Sequence, residues 1–327
     1  MRKKIAVLEH TEDALIFSSG MAAISAALFA FLKTGDHVII QQVIYGGTFN
    51  FIANEFDKFG IEYSFTESDK IEDFEPLIRP NTKVMYIETP SNPLLGITDI
   101  KAIAELSKQH QIITMIDNTF ASPINQNPFD FGINIILHSA TKYMGGHSDI
   151  SAGAIAATKK HIDLIWKTAI NFGGNLSDQT VWLLERSLKT LNLRVKEQTK
   201  NAQIMAEYFE SNTNIDRVYY PGLKSHPQYE IAKKQMKGFG AMLSFELKKG
   251  IDTMKFQNSL LLIKPSMSLA GVESTTVSPT QTTHALLSEE QRLERGIKDG
   301  LIRFSVGIEE TDDLIADIEQ AIKKATN

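Results

Sequence analysis

The chain has no cysteine among its 327 residues. Disulfides, thiolate metal sites and cysteine nucleophiles are thereby excluded, and a reducing, cytoplasmic setting is expected. A surplus of positive charge is also missing. The formal net charge is -5, so partners among nucleic acids or anionic membranes are not expected. Repeats, low-complexity segments and basic stripes are absent too. No leader pattern follows Met1-Arg2-Lys3-Lys4, because the apolar run stops early at Glu9, His10 and Glu12. An unbroken apolar run of membrane length is lacking as well. The nearest approach, 14–32, carries no charge, but Ser18-Ser19-Gly20 cuts it into a strand-like piece and an alanine-rich helix from about Met21 to Lys33. What remains is 43% hydrophobic and 22% charged, the balance of one large or two medium globular domains.

Strand and helix signals alternate through the first half. Apolar runs at 14–17, 37–40, 61–65, 83–88, 112–117 and 134–137 read as strands, and helices are predicted after Tyr45 and from Ile100 to His110 behind a Thr98-Asp99 cap. Nearly continuous apolar strands in this rhythm predict a mostly parallel sheet covered by helices. Ligands of such sheets sit beyond the carboxyl ends of the strands. Tyr45, Asn92, Asp117 and Lys142 all fall just past predicted strand ends, so the fold alone would gather them on one face. In the second half, a helix capped by Asn175-Leu176-Ser177 and a longer one from Asn192 to about Phe209 form a connector. A domain boundary is therefore placed near Ser187, with residues 1–187 as the large domain and 188–327 as the carboxyl domain.

The stretch Ser139-Ala140-Thr141-Lys142 follows a buried strand and precedes a Gly-Gly break. A lysine in apolar surroundings loses hydration, which lowers its pKa and frees the amine to attack an aldehyde. Ser139 and Thr141 are spaced to share one phosphate, and the helix start at Gly20 and Met21 offers free N–H groups to the same kind of anion. Asp117 suits a protonated ring nitrogen, and Tyr45 suits stacking on the face of the ring. The bland readings are an ordinary loop lysine, a capping Asp117 and a turn residue at Tyr45. Together the five features describe a flat, phosphorylated heteroaromatic aldehyde. His138, His147, Asp149 and His161 match no metal-ligand spacing, so no metal is expected.

Ser18-Ser19-Gly20-Met21-Ala22-Ala23, Glu88-Thr89-Pro90-Ser91-Asn92-Pro93, Asp117-Asn118-Thr119-Phe120, Ser139-Ala140-Thr141-Lys142-Tyr143 and Arg303-Phe304-Ser305-Val306-Gly307 occur in that order. Together they resemble the Cys/Met-metabolism, or trans-sulfuration, group of pyridoxal-phosphate enzymes, over essentially the whole chain. The resemblance implies the aspartate-aminotransferase-like type I α/β fold, with a mostly parallel large domain and a smaller α+β domain. It implies a Schiff base on Lys142, a ring-nitrogen salt bridge to Asp117, stacking and an acid/base or positioning role for Tyr45, and phosphate contacts from Gly20, Met21, Ser139 and Thr141. Arg303, Asn92 and Ser268 are implied to bind the substrate carboxylate. Paired subunits with shared sites, as a homodimer or homotetramer, are implied as well.

For substrate, Gly271-Val272-Glu273-Ser274 resembles the cystathionine-handling members, where the glutamate meets a distal amino group. This favours cystathionine γ-synthase or γ-lyase activity. Methionine γ-lyase, cystathionine β-lyase and O-acylhomoserine sulfhydrylase are the alternatives. Ala270 and Thr275-Thr276-Val277 depart from the family pattern. So does the amino terminus, where relatives carry an arm with a Tyr-x-Arg motif that this sequence lacks. A truncated, weakly active or non-catalytic relative is the alternative from another class. An aminotransferase on the same fold is a further one, against which the combined motifs argue.

Overall fold

The computed structural model describes residues 1–282, 290, 292 and 296–326. Strands β1 (Asp13–Phe17), β2 (His37–Ile40), β3 (Glu62–Phe65), β4 (Thr82–Glu88), β5 (Ile113–Asp117), β6 (Ile135–His138) and β7 (Gly153–Ala157) form one sheet in the order β1-β7-β6-β5-β4-β2-β3. The neighbours from β6 to β3 pair in parallel, whereas β7 runs antiparallel to both β1 and β6. The sheet is thus mostly parallel, as the apolar runs predict. The central strands β2, β5 and β6 are buried almost throughout, which explains their near-continuous hydrophobicity.

Helices cover both faces. On one, α2 (Gly20–Phe31) packs its alanines against β6 and β7, and α3 (Gly46–Glu55) follows β2. On the other, α1 (Arg2–Leu8) and α4 (Ile100–Gln109) share a core with Ile39, Met85, Ile116 and Ile136. The caps expected at Asp99 and Ser177 form, with Asp99 Oδ1 accepting from Ala102 N–H at 3.0 Å and Ser177 Oγ from Thr180 N–H at 3.2 Å, and Ser19 Oγ caps α2 by accepting from Ala22 N–H at 3.0 Å.

After the short α5 (Ser122–Asn125) and the helices α6 (Lys159–Phe172) and α7 (Asp178–Leu188), the long α8 (Leu191–Ser211) leads to a second sheet. That sheet contains β8 (Ile215–Tyr219), β9 (Met242–Leu247), β10 (Lys264–Pro265), β11 (Thr275–Val277) and β12 (Leu301–Ser305), in the order β10-β11-β12-β9-β8. Phe209, Phe245, Phe256 and Phe304 fill the core between this sheet, α8 and the last described helix, Thr311–Thr326. Among the described residues no helix is long and apolar enough to cross a membrane.

Candidate active site

A cavity of about 410 Å³ opens at the carboxyl ends of the parallel strands, lined from both sheets. Ten of the eleven residues singled out by sequence line it: Gly20, Met21, Tyr45, Asn92, Asp117, Ser139, Thr141, Lys142, Ser268 and Arg303. The eleventh, Glu273, is exposed and lies outside the lining; its carboxylate sits by Gly271.

Lys142 stands in the turn after β6, its N–H donating to Ser139 O at 3.0 Å and its carbonyl accepting from Gly146 N–H at 2.7 Å. Burial pushes its amine below the usual lysine range, and the Arg303 guanidinium pushes it further the same way. Asp117 ends β5. Burial raises its carboxyl, while hydrogen bonds from the Thr119 hydroxyl and N–H and the charge of His138 oppose that rise. Thr119 N–H donates to Asp117 Oδ1 at 3.0 Å.

Glu88 occupies the register position beside Asp117 on β4 and also lines the cavity. Its carboxyl is pushed well up, first by burial and next by the charge of Asp117. Glu88 Oε2 accepts the Tyr45 N–H at 2.7 Å, which fixes the start of α3. Sequence reasoning quoted Glu88 inside a motif without giving it a role. The signal was available, since an acid closing an apolar strand is the reason Asp117 was chosen. Tyr45 itself is 48% exposed at the cavity mouth. Gly47 gives its ring room: a Cβ there would lie 2.4 Å from Tyr45 Cε1.

The residues expected to form an anion cup meet where α2 begins against the turn after β6. A Cβ on Gly20 would lie 2.9 Å from Ser139 Cβ and 3.0 Å from its Cα, so only glycine permits this approach. Ser139 N–H donates to the Thr119 hydroxyl at 2.8 Å. Thr141 Oγ1 donates to Ala152 O at 3.1 Å and accepts from Ala152 N–H at 3.0 Å, so its hydroxyl is already engaged by backbone.

Across the cavity, Arg303 reaches from β12. Its Nη1 donates to Asn92 Oδ1 at 3.3 Å and its Nη2 to Met267 O at 2.8 Å, while Nε is buried with no partner. Burial brings this guanidinium down to about 10. A buried orphan N–H on a fixed guanidinium suits a carboxylate ligand.

One helix ties these parts together. On α8, Arg194 Nη1 donates to Tyr143 O at 2.9 Å, next to Lys142. Gln198 Nε2 donates to Gly271 O at 2.6 Å, and Asn201 Nδ2 donates to Gly307 O at 3.2 Å and Glu309 O at 2.8 Å. The histidines turn elsewhere: His147 Nδ1 donates to Gly145 O at 2.8 Å, and His138, at the end of β6, pairs with Glu9. Among the described residues no group of three or more His, Asp or Glu side chains is placed to hold a metal.

A two-sheet α/β fold with an amine, two carboxyls and a guanidinium around one cavity defines the class. The model of the Cys/Met metabolism PLP-dependent enzymes matches residues 1–323, and the chain belongs to that family. It is 45% identical over 325 residues to cystathionine beta-lyase MetC of Bacillus subtilis, covering 99% of this chain and 83% of that protein. It is 40% identical over 328 residues to L-methionine gamma-lyase of Fusobacterium nucleatum, covering 99% and 83% respectively. The crystal structure of cystathionine gamma-lyase from Lactobacillus plantarum complexed with L-serine superposes with a TM-score of 0.95 at 42% identity, covering 98% of this chain and 84% of that one. The type I fold expected from the sequence is therefore present, and the protein is a pyridoxal-phosphate enzyme. Its residues fit the cofactor on their own geometry, with an unencumbered amine at Lys142, a glycine-lined anion cup at Gly20 and a buried acid opposite.

Proposed function

We propose that the protein cleaves or forms a carbon–sulfur bond at Cγ or Cβ of an amino acid, most specifically as a cystathionine γ-lyase or γ-synthase. The observation that carries this reading is the convergence of Lys142, Asp117 and the orphan Nε of Arg303 on one cavity. Pyridoxal phosphate supplies an electron sink when bound at Lys142. Arg303, steadied by Asn92 and Met267 O, grips the substrate carboxylate, and Ser268 lines the same side of the cavity. The Lys142 amine, whose hold on a proton burial weakens, takes the proton from the substrate Cα and delivers it further along the side chain. Asp117 keeps a proton on the cofactor ring nitrogen. Tyr45 covers the mouth and limits water access. Gly20, Met21 and Ser139 take the phosphate, with Thr141 holding the cup in shape through Ala152.

Methionine is the second reading, favoured by Glu273 lying outside the cavity lining and by the methionine γ-lyase relative. Residues 1–187 are read as the cofactor-binding unit and 188–327 as its partner domain. Exposed apolar side chains such as Trp166, Phe172 and Trp182 support a homodimer or homotetramer, and the family chemistry supports a cytoplasmic setting.

Two measurements test the reading. Lys142→Ala is expected to abolish both turnover and the visible absorbance of the lysine-bound cofactor; retained turnover would sink the assignment. Parallel assays on cystathionine, methionine and an O-acylhomoserine separate the substrates, and equal or faster turnover of methionine selects the second reading.

A further inference from the structure

The loop on the substrate side of the cavity holds a backbone conformation that its sequence resists. Met267, Ser268 and Leu269 line the cavity, and the chain then turns through Ala270, whose φ is +63°. A residue with a Cβ is crowded in this left-handed region, so such a turn persists only where its surroundings hold it. Ala270 is fully buried, and its N–H must find a partner inside the protein. That partner is Ser305 Oγ, which accepts it at 2.7 Å.

Ser305 lies on β12 two residues beyond Arg303, so the two side chains share one face of the strand. Each holds one end of the loop. Arg303 Nη2 donates to Met267 O at 2.8 Å, and Ser305 Oγ takes the N–H of Ala270. Between these ends, Ser268 N–H donates to Ser266 Oγ at 3.1 Å and Thr275 Oγ1 to Ser268 O at 3.2 Å, both ties within the same stretch of chain. Ser305 is itself buried and does not line the cavity, and the chemistry above gives it no task.

We propose that Ser305 is a positioning residue for the carboxylate clamp: by holding Ala270 in the left-handed turn, its hydroxyl presents Ser268 and Leu269 to the cavity and keeps Met267 O on the Arg303 guanidinium. The proposal rests on the reading of Arg303 as the residue that grips the substrate carboxylate. Ser305 touches neither substrate nor cofactor and acts through the backbone of the loop. A merely structural hydroxyl would steady the packing of β12 and leave substrate affinity alone.

The test uses the cofactor-loaded enzyme, assayed on cystathionine and on methionine. Ser305→Ala leaves the Ala270 N–H without its acceptor and the strained turn free to relax. KM is expected to rise roughly tenfold for either substrate that is turned over, with kcat changed less than about threefold. Glycine adopts a left-handed φ without crowding, so Ala270→Gly added to Ser305→Ala should return KM to within about threefold of the parent. A lower melting temperature with KM unchanged in Ser305→Ala overturns the proposal, and so does a raised KM that the glycine fails to recover. Arg303→Lys is the control. If it leaves KM unchanged, the reading of Arg303 and the proposal fall together; a KM raised by Arg303→Lys but not by Ser305→Ala sinks the proposal alone. Should Ser305→Ala not fold, Ser305→Cys decides, being close in size but a weak acceptor: a raised KM supports the proposal, and the parent KM overturns it.

Discussion

At the residue scale, the cavity works by placing charges where water cannot compensate them. Arg303 is buried, its Nη1 and Nη2 held by Asn92 and Met267 O while its Nε has no partner. A lysine in its place would keep the charge but lose the planar fork. Arg303→Lys is therefore expected to lower kcat/KM roughly tenfold to a hundredfold, mostly through KM, in steady-state assays. The same guanidinium presses on Lys142. Arg303→Met removes that repulsion, so the Lys142 amine holds its proton to higher pH. The pH midpoint for capture of pyridoxal phosphate by the cofactor-free protein should then move upward, and an unchanged midpoint would show that burial alone sets the amine. At this scale much of the site was legible, because a reactive group just past an apolar strand is a local pattern. Glu273 shows the limit. Its motif resembles a substrate-side loop, but the reach of a side chain depends on backbone path, and its carboxylate comes to lie by Gly271.

At the element scale, the strands that sequence misses are those whose composition argues for something else. β7 reads Gly153-Ala154-Ile155-Ala156-Ala157, in which three of five residues are alanine, the best helix former. It becomes a strand because it pairs with both β1 and β6 and is buried at every position. Small residues are required there because α2 packs against it so closely. A Cβ on Gly153 would fall 2.0 Å from Ser19 O and 2.6 Å from its carbonyl carbon, atoms of backbone that cannot swing aside. Gly153→Ala should thus cost roughly 1–3 kcal/mol, lower the melting temperature in a circular-dichroism melt, and loosen the α2 start that forms the anion cup. The central parallel strands were legible because each carries a buried apolar run, as in Val38-Ile39-Ile40 and Ile135-Ile136-Leu137. The antiparallel intruder has no such local signature; its place is set by partners far away in sequence.

At the scale of the whole molecule, burial of acids ties stability to pH. Asp69 accepts from Gln41 Nε2 at 2.9 Å, and burial pushes its carboxyl up to about 6 from 3.8. A carboxyl whose folded pKa is raised favours the fold fully below its unfolded value, and that contribution is lost as pH rises through the folded one. Asp69→Asn should therefore leave the melting temperature near its parent value below pH 4 and raise it above pH 7, by an amount bounded at about 3 kcal/mol. Equal shifts at both pH values would refute the linkage. The second sheet is harder to read in the sequence: β9 is a buried, largely apolar run, whereas β10 and β11 are two and three residues long and exist only through pairing.

The three grips of α8 on Tyr143, Gly271 and the chain after β12 have a geometric corollary. A helix rises 1.5 Å per residue, so the span from Arg194 to Asn201 holds the turn bearing the amine and the arm bearing the guanidinium about 10 Å apart at their anchors. The separation between the Lys142 turn and the Arg303 arm is thus inherited from helical pitch, like marks on a rigid gauge. Loops around the mouth are free to diverge and accept longer or shorter sulfur side chains without detuning the reactive end. Insertion of a single residue between Arg194 and Asn201 would turn one anchor away from the other and spoil every substrate alike.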